Sequence, residues 1–234
     1  MAGLAFLPVQ ALAENITIGT DEAYDARIFT LEPSTLEGFD KAFAEIVCSR
    51  ANLSCEWKTM PYDVLSSALR DGDVDIIIAA IPSNAELGAG VEKTVAYLQP
   101  DPFLTVGPPG TELHKHVKHL GSIADPVFDG WFPTTGYTNV VFPTIEAAVE
   151  AIETGEADAV IGERATLEPL IAGSGGKLVK ITENAHLRPG VSMVLRSGDV
   201  DLRFNLEDRI FDMTQDGSLN ALTEEWFGID AAQW

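Results

Sequence analysis

Apolar positions fall into one pattern that occurs twice along the chain. From Tyr62, Leu65, Ala68 and Leu69 recur at helical spacing; Gly72 follows, then Asp75, then the apolar run Ile76-Ile77-Ile78. From Thr144 the order repeats, with Ile145, Val149 and Ile152, then Gly155, Asp158 and Ala159-Val160-Ile161. Apolar residues three or four apart predict an amphipathic helix, and a glycine at the end of such a stretch fits the left-handed turn that closes one. A short run without polar alternation predicts a strand covered on both faces, as in a parallel sheet between helices. Two equivalent helix–glycine–strand units predict two similar α/β lobes, and the cleft that two lobes create is a place for a small ligand.

The remaining pattern fits around these copies. Ile16-Thr-Ile-Gly-Thr20 predicts a strand leading to a polar loop, and Gly38-Phe39-Asp40 opens an amphipathic helix carrying Phe39, Phe43, Ile46 and Val47. Cys55-Glu-Trp-Lys58 predicts the next strand. Pro100, Pro102, Pro108 and Pro109 surround Phe103-Leu-Thr-Val106, which predicts an isolated strand crossing between lobes. Residues 125 to 136 have no clean period and predict a loop with a short helix, while Gly173-Ser-Gly-Gly176 predicts a flexible turn. Val191 to Leu195 predicts a strand returning the chain to the first lobe. Leu202 to Phe227 predicts amphipathic helix, broken at Asp216-Gly217. The expected division is 1–13 as targeting sequence, 14–104 with 191–234 as lobe one, and 105–190 as lobe two.

Composition narrows the class. The 234 residues are 46% hydrophobic, enough for two cores. Asp and Glu total 36 against 15 Lys and Arg, a net charge of -21 that repels nucleic acid and anionic membranes and so argues against both as partners. Ala11-Leu-Ala13, after a short apolar stretch, is similar to a secretory cleavage site. Cys48 and Cys55 have the spacing of neither a zinc knuckle nor a redox Cys-x-x-Cys pair, which leaves a disulfide across a helix–strand loop or two partly buried thiols. His114, His116 and His119 have a spacing open to zinc or copper, yet read better as a polar connector, so no metal and no cofactor is expected. Trp131, Trp226 and Trp234 read as packing residues. No phosphate loop, nucleophile elbow or His-Glu-x-x-His is present in the sequence.

Several short pieces occur in a telling order: Gly19-Thr-Asp-Glu-Ala-Tyr24, Leu36-Glu-Gly-Phe-Asp40, Gly72-Asp-Val-Asp75, Gly155-Glu-Ala-Asp-Ala-Val160, Asp216-Gly-Ser-Leu219 and Glu225-Trp-Phe-Gly228. Together they resemble the periplasmic solute-binding proteins of ABC importers, in the family that carries polar amino acids. The resemblance implies the type II periplasmic binding fold, two α/β lobes joined by two crossing strands and closing on the ligand like a hinge. It implies a disulfide between Cys48 and Cys55, which stand where lysine/arginine/ornithine-binding members carry one. It assigns Tyr24 and Tyr62 to the aromatic pair around the ligand side chain, Asp21 to the lobe-one rim, and Glu163 to the carboxylate that holds the ligand ammonium.

The pattern departs at the anchor for the ligand carboxylate. Family members present small hydroxyl residues and then an arginine after the first repeat; this chain has Ala79, Ala80, Pro82 and Leu87. A carboxylate buried without a cation is costly. Arg27 is the nearest substitute, with Ser83 and Asn84 as hydrogen-bond donors. In lobe two, Gly121-Ser-Ile-Ala-Asp-Pro126 replaces a Gly-Thr-Thr turn and offers Asp125. The resemblance thus implies an exported, non-enzymatic and monomeric protein that captures an amino acid or related polar or cationic solute for a membrane permease. The alternatives are an enzyme similar to cyclohexadienyl dehydratases, with Glu163 as general acid, and a sensory or accessory binding subunit.

Overall fold

A computed structural model describes residues 13–22, 33–184 and 187–228. The chain divides into two compact units, residues 1–98 with 190–234, and residues 99–189. Each has a five-stranded sheet of the same plan.

In unit 1, β1 (Glu14–Asp21) pairs in parallel with β2 (Leu53–Met60) and with β3 (Ile76–Ile77). Two antiparallel strands complete it, giving the order β2-β1-β3-β10-β4, where β4 is Val91–Lys93 and β10 is Val194–Arg196. Helices α1 (Pro33–Ala51) and α2 (Tyr62–Asp71) belong to this unit, as do α7 (Val200–Gln215) and α8 (Ser218–Phe227). The first repeat strand is covered on both faces, as its composition predicts. Ile76, Ile78 and Ala80 enter one core with Phe39, Phe43 and Tyr97, while Ile77, Ala79 and Ile81 enter a second with Leu65 and Leu69.

Unit 2 repeats the plan as β7-β6-β8-β5-β9. Strands β6 (His119–Ile123), β7 (Thr138–Phe142) and β8 (Ala159–Glu163) are parallel, and β5 (Phe103–Gly107) runs antiparallel between β8 and β9 (Val179–Asn184). Its helices are α3 (Leu113–His116), α4 (Val127–Thr135), α5 (Ile145–Thr154) and α6 (Arg164–Gly173).

The repeated sequence makes the same local structure in both units. Helices α2 and α5 end at Gly72 and Gly155, with φ of 82° and 77°, and each glycine N–H caps two carbonyls of the last turn. The aspartate three residues on is a staple. Asp75 Oδ2 accepts the Thr17 N–H of β1 at 2.9 Å, and Asp158 Oδ2 accepts the N–H groups of Lys118 and His119 at 2.8 and 2.9 Å. Each aspartate N–H donates back to the neighbouring strand, Asp75 to Thr17 O at 2.8 Å and Asp158 to His119 O at 2.9 Å. The pair of bonds fixes the register of the parallel strands where they begin.

Above all the His119 N–H, then that of Lys118 and the adjacent imidazole, hold the Asp158 carboxyl below its ordinary value. A depressed carboxyl contributes stability that is complete above the unfolded aspartate range and is lost as pH falls through the folded value. Asp158→Asn is therefore expected to cost about 1 kcal/mol near neutral pH, the low end for a charged acceptor because the site is partly solvated. The cost should shrink toward pH 3. Urea unfolding of both proteins at the two pH values checks this, and a cost independent of pH would contradict the role of the charge.

Three sequence expectations need correction. Helix α1 begins at Pro33 rather than Gly38; proline is compatible with the first helical turn, where its missing N–H has no partner to lose. The segment Phe103–Val106 is not an isolated crossing strand. It is buried and hydrogen-bonded on both sides within unit 2, and its prolines flank it instead. The chain passes from unit 1 to unit 2 at Leu98–Gln99 and returns at Pro189–Gly190, so Phe103 and Leu104 belong to unit 2.

Gly38 matters for another reason: a Cβ there would stand 2.3 Å from the Trp226 ring. Phe39 beside it lies 4.9 Å, centroid to centroid, from Phe227. The Leu36–Asp40 and Glu225–Gly228 pieces, at opposite ends of the sequence, thus pack on each other.

Candidate functional site

In an open α/β sheet, the ends of parallel strands toward their C-termini carry loops whose backbone groups are not used by the ladder, and ligands bind there. Both units place sequence-selected residues at that edge.

In unit 1, Asp21 is the last residue of β1 and is largely buried, at 8% exposure. Tyr62 opens α2 just beyond the end of β2 and is half exposed. Ala80 follows β3. The three segments are tied together by the Glu22 N–H on Met60 O (3.1 Å) and the Ile78 N–H on Gly19 O (3.0 Å). Ala80 is buried with φ of 50°, a left-handed conformation that costs a residue with a side chain about 1 kcal/mol. It is held there by its N–H, which donates to Asp40 Oδ2 at 3.1 Å.

Ser83 lies farther along and its N–H donates to Gly190 O at 2.7 Å, so that donor is committed to the fold. Asn84 is exposed in the turn that follows. Leu87 packs against the core of Leu65, Leu69 and Ile81 with Met60 and Val91. Tyr24 and Arg27 lie outside the described residues.

Unit 2 brings its two selected acids together through a residue that the sequence did not single out. Arg188 Nη2 donates to Asp125 Oδ2 at 2.6 Å and to Glu163 Oε1 at 2.9 Å. Its guanidinium lies 5.3 Å from the centroid of the Phe103 ring. Four segments meet here. Glu163 ends β8, Asp125 follows β6, Phe103 begins β5, and Arg188 lies beyond β9. Asp125 also accepts the Val127 N–H through Oδ1 at 2.9 Å, which fixes its side chain at the start of α4. The three charged side chains are each about one-fifth exposed, at 16% for Asp125, 23% for Glu163 and 21% for Arg188. Two carboxylates and one guanidinium leave the cluster one negative charge in excess.

Arg188 escaped sequence reasoning because it belongs to no periodic element and stands 63 and 25 positions from its partners. No local signal marks it, since Lys177, Lys180 and Arg196 stand around it in the sequence.

The histidines take separate local roles. His116 Nδ1 accepts the Glu112 N–H at 3.0 Å, His114 Nδ1 faces the Tyr137 hydroxyl at 3.4 Å, and His119 stands beside Asp158 at 3.6 Å. Trp131 packs on Phe128 and Phe132. Cys48 and Cys55 form a disulfide between α1 and β2. No described helix is long and apolar enough to cross a membrane.

Residues 16–229 match the model of the family described as bacterial extracellular solute-binding proteins, family 3. The chain belongs to that family. The L-arginine-binding protein of Pseudomonas aeruginosa is 24% identical to this family 3 protein over 96% of its length and 92% of the relative's. The histidine-binding periplasmic protein of Escherichia coli K12 is 25% identical, over 94% and 90%.

Among solved structures, a periplasmic His/Glu/Gln/Arg/opine family-binding protein from Silicibacter pomeroyi in complex with lysine is 32% identical. It covers 94% of this chain and 100% of its own, with a TM-score of 0.51. The L-cystine solute receptor of Neisseria gonorrhoeae has a TM-score of 0.64 at 16% identity, covering 94% and 96%, a likeness of fold. The two-lobed type II periplasmic binding architecture and a solute-binding role follow for this family 3 protein, and the relatives named above are binding proteins.

Proposed function

We propose that this protein is the exported solute-capturing subunit of an ABC importer, that its solute is an amino acid with a cationic side chain, and that it delivers the solute unchanged to a membrane permease. The observation that carries the reading is the acidic excess of the Asp125–Glu163–Arg188 cluster at the ligand edge of unit 2. A net negative, partly desolvated cluster favours a ligand with an ammonium or guanidinium group over an anion. Asp21 at the corresponding edge of unit 1 and the half-exposed ring of Tyr62 add a carboxylate and an aromatic face suited to the same kind of group. The relative solved with lysine, and those named for arginine and histidine, support the ligand class. The secretory-like start of the sequence supports export. An enzymatic role on a dianionic substrate has no comparable support, since this edge carries more acid than base.

A thermal-shift screen tests the proposal. Ligand at ~1,000 times its dissociation constant adds about 4 kcal/mol, and at ~2–4 °C per kcal/mol the midpoint should rise by roughly 8–16 °C. L-arginine, L-lysine or L-histidine should produce such a rise and L-glutamate should not. A response to L-glutamate alone, or to none of these amino acids, would refute the assignment.

A further inference from the structure

We propose that Arg188 is the anchor for the ligand's carboxylate, so that unit 2 supplies both poles of a zwitterion site: acid for the ammonium and arginine for the carboxylate. The inference rests on the proposed function, because it assumes an amino-acid ligand.

Three observations carry it. First, both bonds from Arg188 to its acidic neighbours leave from the same nitrogen, Nη2. A guanidinium has five N–H donors, so the Nη1 and Nε hydrogens are not engaged by those bonds, and each can donate a single charge-assisted bond to a carboxylate oxygen. Second, the guanidinium is fixed before any ligand arrives. Asp125, itself tied to the Val127 N–H, and Glu163 hold Nη2, while the Phe103 ring lies against the group. A cation held in place loses little side-chain entropy when a carboxylate binds. Third, the unit 1 position at which the resemblance implies an arginine is Leu87. Leu87 is occupied as an apolar packing residue, and its backbone oxygen already accepts from Arg70 Nη1 at 3.2 Å.

The arrangement also suits the ligand ammonium. The bond from Arg188 uses Oε1 of Glu163, and the cluster's excess negative charge stands beside the cationic fork. An α-ammonium and an α-carboxylate lie on one carbon, so a zwitterion presents its two charges at the separation that an adjoining carboxylate and guanidinium provide. A ligand with the ammonium alone would satisfy half of this arrangement. The same geometry makes Arg188 an internal counter-cation, which weakens the attraction of Glu163 and Asp125 for simple amines.

The experiment compares L-arginine with agmatine, the same molecule without its carboxylate, by calorimetry on the wild type, Arg188→Met and Arg188→Lys. The readout is the ratio of agmatine to L-arginine dissociation constants. In Arg188→Met this ratio should fall about 10- to 100-fold, the worth of a charge-assisted pair, through weaker L-arginine binding and equal or tighter agmatine binding. Arg188→Lys, which keeps the charge without the guanidinium's additional fixed N–H donors, should fall between Met and wild type. An unchanged ratio in Arg188→Met overturns the inference, whether both ligands weaken together or neither does, and leaves the proposed function intact. If the Met variant binds neither probe, the Lys variant decides: a lowered ratio supports the anchor, and a wild-type ratio overturns it. A wild type that binds agmatine but not L-arginine also overturns the anchor. A wild type that binds neither overturns the proposed function together with the inference.

Discussion

Asp40→Ala is expected to destabilise the protein by about 3–5 kcal/mol and to lower its melting midpoint by roughly 10 °C or more. Asp40 is fully buried on α1, and its carboxylate joins segments far apart in sequence. The Tyr97 hydroxyl donates to Oδ1 at 2.7 Å and the Ala80 N–H donates to Oδ2 at 3.1 Å. Alanine would leave both donors inside the core without these acceptors, at about 1–3 kcal/mol each, and would leave a void where the carboxylate stood.

The effect should reach the ligand edge of unit 1, because the bond from Ala80 holds a left-handed residue at the end of β3. Asp40→Asn keeps one oxygen acceptor and should cost less than Asp40→Ala, since the amide nitrogen cannot accept a bond. Denaturant titrations followed by circular dichroism test both variants. A loss below about 1 kcal/mol for Asp40→Ala would contradict the account of Asp40 as a hub.

The second large effect is expected from the disulfide. Removing it through Cys48→Ser with Cys55→Ser should lower stability by about 2–3 kcal/mol, the loop-closure entropy for so short a loop, and the midpoint by roughly 5–10 °C. Cys48 is buried in the core of unit 1 and Cys55 packs against it, so the unfolded chain gains freedom while the folded one also loses a contact between α1 and β2. The measurement is a melting curve with and without a phosphine reductant. Wild type should shift to lower temperature on reduction and the double variant should not. Identical midpoints for oxidised protein and protein verified as reduced by mass spectrometry would refute the contribution.

The two structural predictions and the ligand predictions act on different parts of the molecule. Asp40 and the disulfide set how firmly unit 1 is assembled, whereas the charged cluster belongs to unit 2. A variant of Arg188 that altered the melting curve as strongly as Asp40→Ala would point to a scaffold role for the arginine, whereas a change in ligand ratio at near-normal stability points to recognition.

The sequence by itself determined the repeated helix–glycine–strand unit, because each of its signals is local. Helical spacing, a glycine where φ must be positive and a run of branched apolar residues need no distant partner to be read. It also determined the family, through short pieces such as Leu36–Asp40 and Gly155–Val160, and by resemblance it put Asp21, Tyr62, Asp125 and Glu163 forward as candidates for the site.

What those pieces do physically was decided only in three dimensions. The aspartate of each copy is a staple on a strand more than thirty-five residues away, with separations of 58 for Asp75 and 39 and 40 for Asp158. Asp40 is a hub because folding brings Tyr97 and Ala80 to it. The run at Phe103 belongs to a sheet because β8 and β9 flank it, which no local pattern records.

Arg188 is the clearest case. Nothing in its neighbours in sequence distinguishes it from a surface arginine, and its meaning comes from two carboxylates and a phenyl ring delivered by three other segments. Propensity and periodicity are properties of adjacent residues and can be read from the chain. Charge pairing at a site depends on where distant segments end, and only the tertiary fold sets that.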